Sequence, residues 1–353
     1  MNKKDPIHIK FMQRCLDLAK LGLGQTYPNP LVGSILVYKG NIVSEGWHQK
    51  KGEAHAEAHA IQNLKDKSIL AMCTLYVNLE PCNHQGATPP CSDLIVSSKI
   101  PRVVVGCSDP FKLVNGAGIE KLKNTGCEVL VGVLEQEAQE INKRFFTFHI
   151  KKRPYIILKW AQSTDGFIAP LKQNRSLKEP VWLSNESSQT YSHLWRSQEQ
   201  SILVGVQTII DDNPSLTTRK VHGNSTLRIV LDPQGRIPKE SNVLLDEFDT
   251  LIFSTKKSST YKEVVISDFK KILEQLCALL HLRNIQSLIV EGGSKTIQGF
   301  IDSDLWDEAR IFTSPKVLNE GIKKPVFDGK QKSSSLIEGD QLEIVLPNPQ
   351  KNQ

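Results

Sequence analysis

Four residues of the N-terminal half have types and spacing suited to metal chemistry. His55-Ala56-Glu57 stands in an alanine-rich stretch, and Pro81-Cys82 and then Cys91 follow. One imidazole and two thiolates form a donor set that suits Zn²⁺, with the fourth position left to water. Zinc lowers the pKa of bound water to about 7, which makes a nucleophile available at neutral pH. Glu57 is two residues from His55 and need not bind the metal. Its carboxylate can take a proton from the water and hand it to a leaving group. Taken singly, each residue has a plainer reading: a surface histidine, a solvated carboxylate, a buried inert thiol. The order of the residues, and the proline before the first cysteine, argue for a metal site. His59 lies on the same stretch without a cysteine partner and reads as a surface or supporting residue.

A second region could hold a phosphate. Glu291-Gly292-Gly293-Ser294 falls between a strand pattern and a helix pattern, and such a turn presents free backbone N–H groups at a helix start. By itself a Gly-Gly turn is more often just a turn. No G-x-G-x-x-G run opens this half, which argues against a Rossmann unit.

The elements that position these residues follow from periodicity. Residues 9–23 carry apolar side chains at helical spacing, closed by Gly22 and Gly24. Pro28-Asn29-Pro30 is a turn, and 32–38 with 42–43 read as a hairpin around Lys39-Gly40-Asn41. Helix 54–64, strand 74–79, helix 91–98, strand 102–107, helix 118–123 and strand 128–133 make a three-layer α/β domain. His55 and Cys91 then sit at helix starts, where the dipole favours thiolate, and Cys82 follows a strand end. Residues 134–148 read as one helix. Lys151-Lys152-Arg153-Pro154 marks a boundary, giving domains 1–150 and 151–353. Beyond it, strands at 155–160, 201–206, 227–231, 250–253, 287–290 and 310–312 alternate with helices at 189–196, 271–282 and 296–301. This pattern predicts a second, mostly parallel α/β domain. The last 20 or so residues read as irregular.

Bulk composition narrows the function classes. A chain of 353 residues normally forms two domains. Its 39% apolar and 23% charged content is globular. No apolar run approaches the ~18 residues of a membrane span, and the polar N-terminus lacks a signal-peptide core. The expectation is a cytoplasmic protein with no membrane partner. The net charge of +6 comes from dispersed lysines without a basic tract, which argues against a nucleic-acid partner. A phosphorylated small molecule would need only one or two well-placed arginines. Seven cysteines, an odd number, argue against a disulfide framework.

The stretch Asn78-Leu79-Glu80-Pro81-Cys82-Asn83-His84-Gln85-Gly86-Ala87-Thr88-Pro89-Pro90-Cys91 extends the H-x-E and Pro-Cys signature of zinc-dependent base deaminases. It has eight residues between the cysteines where ordinary cytidine and tRNA-adenosine deaminases have two. Together with Tyr27-Pro28-Asn29-Pro30-Leu31-Val32-Gly33, Gly46-Trp47-His48 and Asp109-Pro110, it resembles the bifunctional riboflavin-biosynthesis deaminase/reductase family, over nearly the whole chain. The resemblance implies a cytidine-deaminase-like α/β/α domain followed by a dihydrofolate-reductase-like α/β domain, and Zn²⁺ and NADPH as cofactors. It implies a phosphorylated pyrimidine substrate, a diaminopyrimidinone carrying a phosphoribosylamino group. Its ring amine would be hydrolysed, and hydride from NADPH would then open the ribosyl group to a ribityl chain. A homo-oligomer is expected.

Carried over by position, Glu57 is the proton-transfer residue, His55, Cys82 and Cys91 are the metal ligands, and Asn29, His48, His84 and Asp109 contact the pyrimidine. Ala161, Trp182, Ser184, Thr208, Asp212 and the turn Gly292, Gly293, Ser294, Lys295 and Thr296 bind NADPH. Lys159, Arg196, Leu216, Arg219 and Glu291 hold the second substrate, with Arg196 and Arg219 as a phosphate clamp, since guanidinium forks match phosphate oxygens. The chain departs from the family pattern at three places. Ala87 stands where the family has a basic residue, Phe111 where it has asparagine, and Pro180 where it has serine, after a longer insert at 171–178; Lys112 could replace the basic residue.

Three rival readings make different demands. A nucleic-acid base deaminase calls for a two-residue cysteine gap and a basic groove. A monofunctional deaminase would leave the second half as a structural or oligomerising module. A structural zinc needs a fourth protein ligand, for which Cys73 is the candidate.

Overall fold

Asp5 and Pro6 start the first helix, with the Asp5 carboxylate accepting from the backbone N–H of Ile7 at 2.9 Å. In this computed structural model, residues 2–85, 89–111, 116–174, 181–255, 263–265 and 271–348 are described. They fall into two units, residues 1–152 and 153–353.

In the first unit the order is α1 (Pro6–Lys20), β1 (Gly33–Tyr38), β2 (Asn41–Trp47), α2 (Ala56–Asn63), β3 (Thr74–Leu79), α3 (Cys91–Ser97), β4 (Arg102–Cys107), α4 (Ala117–Asn124), β5 (Glu128–Val131), α5 (Glu135–Ile141) and α6 (Lys143–Lys151). The sheet runs β2-β1-β3-β4-β5. β1 is antiparallel to β2 and β3, while β3, β4 and β5 are parallel. Strand alternation divides the apolar side chains between two layers. Leu36, Leu75, Val77, Val103 and Val105 pack with Ile61 of α2, Ile95 of α3 and Leu122 of α4. Ile35, Val37, Tyr76 and Val104 pack with Phe11, Met12, Cys15 and Leu18 of α1. Each fully buried aliphatic side chain contributes about 1.5–3 kcal/mol, so the two layers hold the strand ends that carry the site in place.

The single helix expected over 134–148 is broken into α5 and α6 at Asn142. The Asn142 amide is committed to another part of the unit. Its Oδ1 accepts from the N–H of Leu31 at 2.7 Å, and its Nδ2 donates to the Leu31 carbonyl at 2.9 Å.

The second unit contains β6 (Tyr155–Ser163), β7 (Phe167–Ala169), α7 (Glu186–Gln198), β8 (Ser201–Gly205), α8 (Val206–Asp212), β9 (Leu227–Leu231), α9 (Asn242–Leu245), β10 (Thr250–Ser254), β11 (Glu263–Val265), α10 (Ile272–Leu282), β12 (Ser287–Gly292), α11 (Ser294–Asp302), β13 (Glu308–Ser314), β14 (Ile322–Lys323), β15 (Gly329–Ile337) and β16 (Asp340–Pro347). Nine strands form one sheet in the order β11-β10-β9-β8-β12-β6-β13-β16-β15. The strands from β11 to β13 pair in parallel. Leu276 of α10 and Phe300 of α11 cover one face. Trp195 of α7 and Ile209 of α8 cover the other.

The C-terminal stretch is not irregular. β15 and β16 form an antiparallel hairpin, and β16 pairs with β13. The sequence conceals this because β15 is an edge strand with exposed side chains on both faces, so it has no apolar alternation. Among the described residues, no helix is long and apolar enough to cross a membrane.

Candidate metal centre and a buried charge cluster

The metal-ligand candidates converge from three elements. His55 is the residue preceding the first turn of α2, Cys91 opens α3, and Cys82 follows β3. His55 Nδ1 lies 3.5 Å from Cys82 Sγ and 3.3 Å from Cys91 Sγ. The three donor atoms all lie within 4.8 Å of one another. A tetrahedral zinc with bonds of ~2.3 Å to sulfur and ~2.0–2.1 Å to nitrogen separates N from S by about 3.6 Å. The donor set therefore fits zinc in both chemistry and spacing. The backbone N–H of Cys91 donates to Cys82 Sγ at 3.3 Å, which favours thiolate there. The Cys82 thiol is held well below its usual range, first by the side chain of Cys91 and then by His55. Cys91 moves the opposite way, raised by its bond to Cys82 and by burial. A divalent cation bound by the two sulfurs would displace protons from them. Cys73 is not among these donors. It precedes β3, at the opposite end from Cys82, and its thiol bonds to the Ile69 carbonyl.

Glu57, in the first turn of α2, is 3% exposed. Burial, reinforced by Cys82, raises its carboxyl to about 7. A cation at the three donors would pull it back down. His48 ends up buried beyond β2, with Nε2 3.0 Å from Asn29 Nδ2 and Nδ1 3.1 Å from the Ala54 carbonyl. The His48 and His55 rings meet edge-on at 5.4 Å, so Asn29 and His48 lie beside the metal ligands. Asp109 follows β4 and is buried, and burial pushes its carboxyl up to about 7. His84 is half-buried, and its Nδ1 has no hydrogen-bond partner among the described residues. Phe111 meets the His84 ring at 6.0 Å and the His149 ring at 4.9 Å, so an aromatic surface stands there. Ala87, Lys112 and Pro180 lie outside the described residues. His59 donates through Nδ1 to the Trp47 carbonyl at 3.2 Å, consistent with a supporting role.

Three buried polar side chains were not read as site residues in the sequence. Asn78 accepts from the N–H of Gly33 at 2.7 Å and donates to the Leu31 carbonyl at 3.0 Å; with Asn142 it fixes the segment that follows Asn29. Glu80 accepts from backbone N–H groups at and after Asp109. For Asn78 and Glu80 the available signal was polarity at the end of an apolar strand, where a side chain must be buried and partnered.

In the second unit, Lys159 of β6, Arg196 of α7 and Glu291 of β12 meet. Arg196 donates from Nε and Nη2 to the two Glu291 oxygens at 2.9 and 2.6 Å, and Lys159 Nζ lies 4.0 Å away. Burial by itself would raise the Glu291 carboxyl; the charges of Arg196 and then Lys159 outweigh it and hold it at about 2. Burial lowers Lys159. Among the described residues Arg196 Nη1 reaches only the Thr217 carbonyl, at 3.4 Å, so its fork is committed inside the protein. Arg219 is exposed, and its backbone N–H donates to Nδ1 of the buried His193 at 3.2 Å, a supporting contact absent from the sequence reading. Leu216 is buried nearby in sequence with φ of 57°.

Gly292 ends β12 with φ of 146°, a region that favours glycine, and Ser294, Lys295 and Thr296 open α11. A Cβ on Gly292 or Gly293 would meet only Thr208 Oγ1, at 3.5 and 3.6 Å, so Thr208 of α8 borders this open turn. Thr296 backs it against Gly205, where a Cβ would come 2.4 Å from Thr296 Oγ1. Ala161 lies on β6 and Asp212 closes α8. Ser184 is buried, while Trp182 is half-exposed and its carbonyl accepts from Lys316 Nζ at 2.7 Å, not from the turn.

An α/β/α unit with a His-Cys-Cys centre and a buried adjacent glutamate defines a zinc-binding deaminase domain, here followed by a second α/β unit. The family profile of the cytidine and deoxycytidylate deaminase zinc-binding region matches residues 6–107, and that of the RibD C-terminal domain matches residues 154–345. The riboflavin biosynthesis protein RibD of Aquifex aeolicus is 41% identical over 324 residues, covering 88% of each chain. That of Escherichia coli K12 is 33% identical over 333 residues, covering 89% of each. A Thermotoga maritima structure described as a diaminohydroxyphosphoribosylaminopyrimidine deaminase/5-amino-6-(5-phosphoribosylamino)uracil reductase superposes with a TM-score of 0.87 at 34% identity, covering 97% of this chain and 99% of that one. The chain belongs to the RibD family of riboflavin biosynthesis, with a deaminase domain of the cytidine and deoxycytidylate deaminase class followed by a RibD C-terminal reductase domain.

Proposed function

We propose that this chain deaminates a diaminopyrimidinone bearing a phosphoribosylamino group at the His55-Cys82-Cys91 centre. We propose further that residues 153–353 reduce the resulting ribosylaminouracil with NADPH. The observation that carries this reading is the placement of His55 Nδ1 3.5 and 3.3 Å from two cysteine sulfurs, with buried Glu57 on the same helix. Zinc, when bound there, supplies a Lewis acid that makes water nucleophilic near neutral pH. Glu57 takes up the proton and delivers it to the departing amine. Asn29, His48, His84 and Asp109 hold the pyrimidine, with side-chain amide and imidazole groups reading its polar edge.

In the reductase half, NADPH supplies the hydride, and no side chain needs covalent chemistry. The open turn Gly292–Thr296, bordered by Thr208, offers backbone N–H groups at the start of α11 to a cofactor phosphate. Ala161, Trp182, Ser184 and Asp212 complete that site in this reading. Lys159 and Glu291 face the sugar, Leu216 lines the site, and Arg196 orients Glu291. Exposed Arg219 is left to hold the substrate phosphate. A cytoplasmic location accords with seven free cysteines.

A two-stage assay on the zinc-loaded chain tests this: ammonia release from the diaminopyrimidinone substrate, then oxidation of added NADPH. Ammonia without NADPH oxidation would reduce the second unit to a partner module, and zinc-loaded protein that releases no ammonia would overturn the substrate assignment.

A further inference from the structure

We infer that Glu80 is a positioning residue of the deaminase site, holding Asp109 and the start of α4 in place; the inference rests on the reading of residues 1–152 as the deaminase. Glu80 lies just past the end of β3, two residues before Cys82, and is 4% exposed. A buried carboxylate ordinarily requires a cation. Among the described residues none pairs with Glu80; four backbone donors take that place. Oε2 accepts from Asp109 N at 3.2 Å and from Gly116 N at 3.0 Å. Oε1 accepts from Gly118 N at 3.0 Å and from Ile119 N at 3.3 Å. The last two donors belong to the open first turn of α4, whose dipole also favours the negative charge. The chain passes close by: a Cβ on Gly118 would come 2.0 Å from the Pro81 carbonyl.

One side chain therefore ties the strand end that delivers Cys82 to the segment that delivers Asp109. Asp109 in turn accepts from Phe111 N at 2.7 Å, so the order set at Glu80 reaches Phe111. Glu80 touches no group of the pyrimidine in the proposed reaction. Its effect passes through the placement of Asp109 and should therefore fall on substrate binding.

The test is Glu80→Gln in the full zinc-loaded chain. Glutamine has the same length but turns an NH₂ toward two N–H donors, which breaks half of the array. We expect faster amide exchange at Asp109, Gly116, Gly118 and Ile119 with β4 still protected. Zinc should stay near one per chain, and NADPH oxidation with supplied aminouracil should be unchanged. The deaminase KM should rise by about tenfold or more while kcat changes by less than about threefold. Glu80→Asp, which keeps the charge but is too short for four bonds, should fall between wild type and Glu80→Gln, and serves if the glutamine variant does not fold. Unchanged exchange, an unchanged KM, loss of zinc, or a fall in kcat alone would each overturn the assignment. If the wild-type chain itself released no ammonia, the substrate reading would have failed, and the exchange contrast alone would then decide for or against Glu80 as the anchor of this segment.

Discussion

His48 accepts a hydrogen bond from Asn29, with Nε2 3.0 Å from the asparagine Nδ2. The direction is fixed by the other ring nitrogen. Nδ1 faces the Ala54 carbonyl at 3.1 Å, a group that can only accept, so Nδ1 carries the proton and Nε2 is bare. Burial lowers the imidazole pKa, in keeping with a neutral ring. The Asn29 amide is thereby oriented, and in the proposed function its Oδ1 accepts from a donor on the pyrimidine. Replacing Asn29 with leucine should lower the deaminase kcat/KM by about 10–100-fold, the cost of one or two buried hydrogen bonds, with zinc content unchanged. Steady-state ammonia release beside metal analysis checks this, and wild-type kinetics in Asn29→Leu would remove Asn29 from the site.

Glu57→Gln keeps the shape of the buried side chain and removes its ability to carry a proton. Ammonia release should fall by about 10²–10⁴-fold. Zinc binding should persist, because none of the three donors changes, and NADPH oxidation with supplied aminouracil should continue at the wild-type rate. Retention of most deaminase activity would assign proton transfer to another group.

Metal removal should act on the first unit. Chelation leaves the three donors crowded without a cation, and Cys82→Ser removes one of them, so in either case ammonia release should be lost and the thermal transition of residues 1–152 should move down. Re-added zinc should restore the chelated wild type but not the serine variant. A chelated protein with full deaminase activity would contradict a catalytic metal.

His193 supplies a pH test in the second unit. Burial, followed by the charges of Arg196 and Arg219, lowers its pKa from 6.5 to about 4. Between those values the unfolded chain binds a proton that the native chain refuses. Native stability should therefore be fully present above pH 6.5 and decline as pH falls toward 4, with a slope of at most about 1.4 kcal/mol per pH unit from this group. Urea unfolding of wild type and His193→Gln at several pH values in that window should show a shallower slope in the variant. Parallel slopes would mean that His193 takes up its proton in the folded state.

Removing one member of the Arg196–Glu291 pair should cost more than removing both. Arg196→Ala leaves a buried carboxylate beside Lys159 alone and should destabilise the second unit by about 3–5 kcal/mol. Adding Glu291→Leu should recover part of that loss although reductase activity stays low. Denaturant midpoints for the single and double variants decide the point, and additive losses would show that the pair is not coupled.

The metal donors were legible in the sequence because each lies at an element boundary that carries its own local signal. His55 and Cys91 stand where helix patterns begin, and Cys82 stands where an apolar strand ends. The strand pattern of both sheets was legible for a related reason: buried parallel strands are near-continuous apolar runs. Asn142 was missed because the residues around it carry apolar side chains at helical spacing, while the helix breaks for a hydrogen bond to Leu31, more than a hundred positions away. β15 was missed because its order comes from backbone pairing with β16 and not from any apolar face of its own.

The sequence by itself determined which side chains can bind a metal, which can carry a proton and roughly where the two units divide, since these depend on residue type and short spacing. Only the tertiary structure decided what each polar side chain is committed to. Arg196, expected to clamp a phosphate, spends its fork on Glu291, and Glu80, given no role in the sequence reading, collects four backbone donors. The physical reason is that a buried charge must find its partners across long sequence separations, and the packing of the sheets sets which groups come within about 3 Å of it.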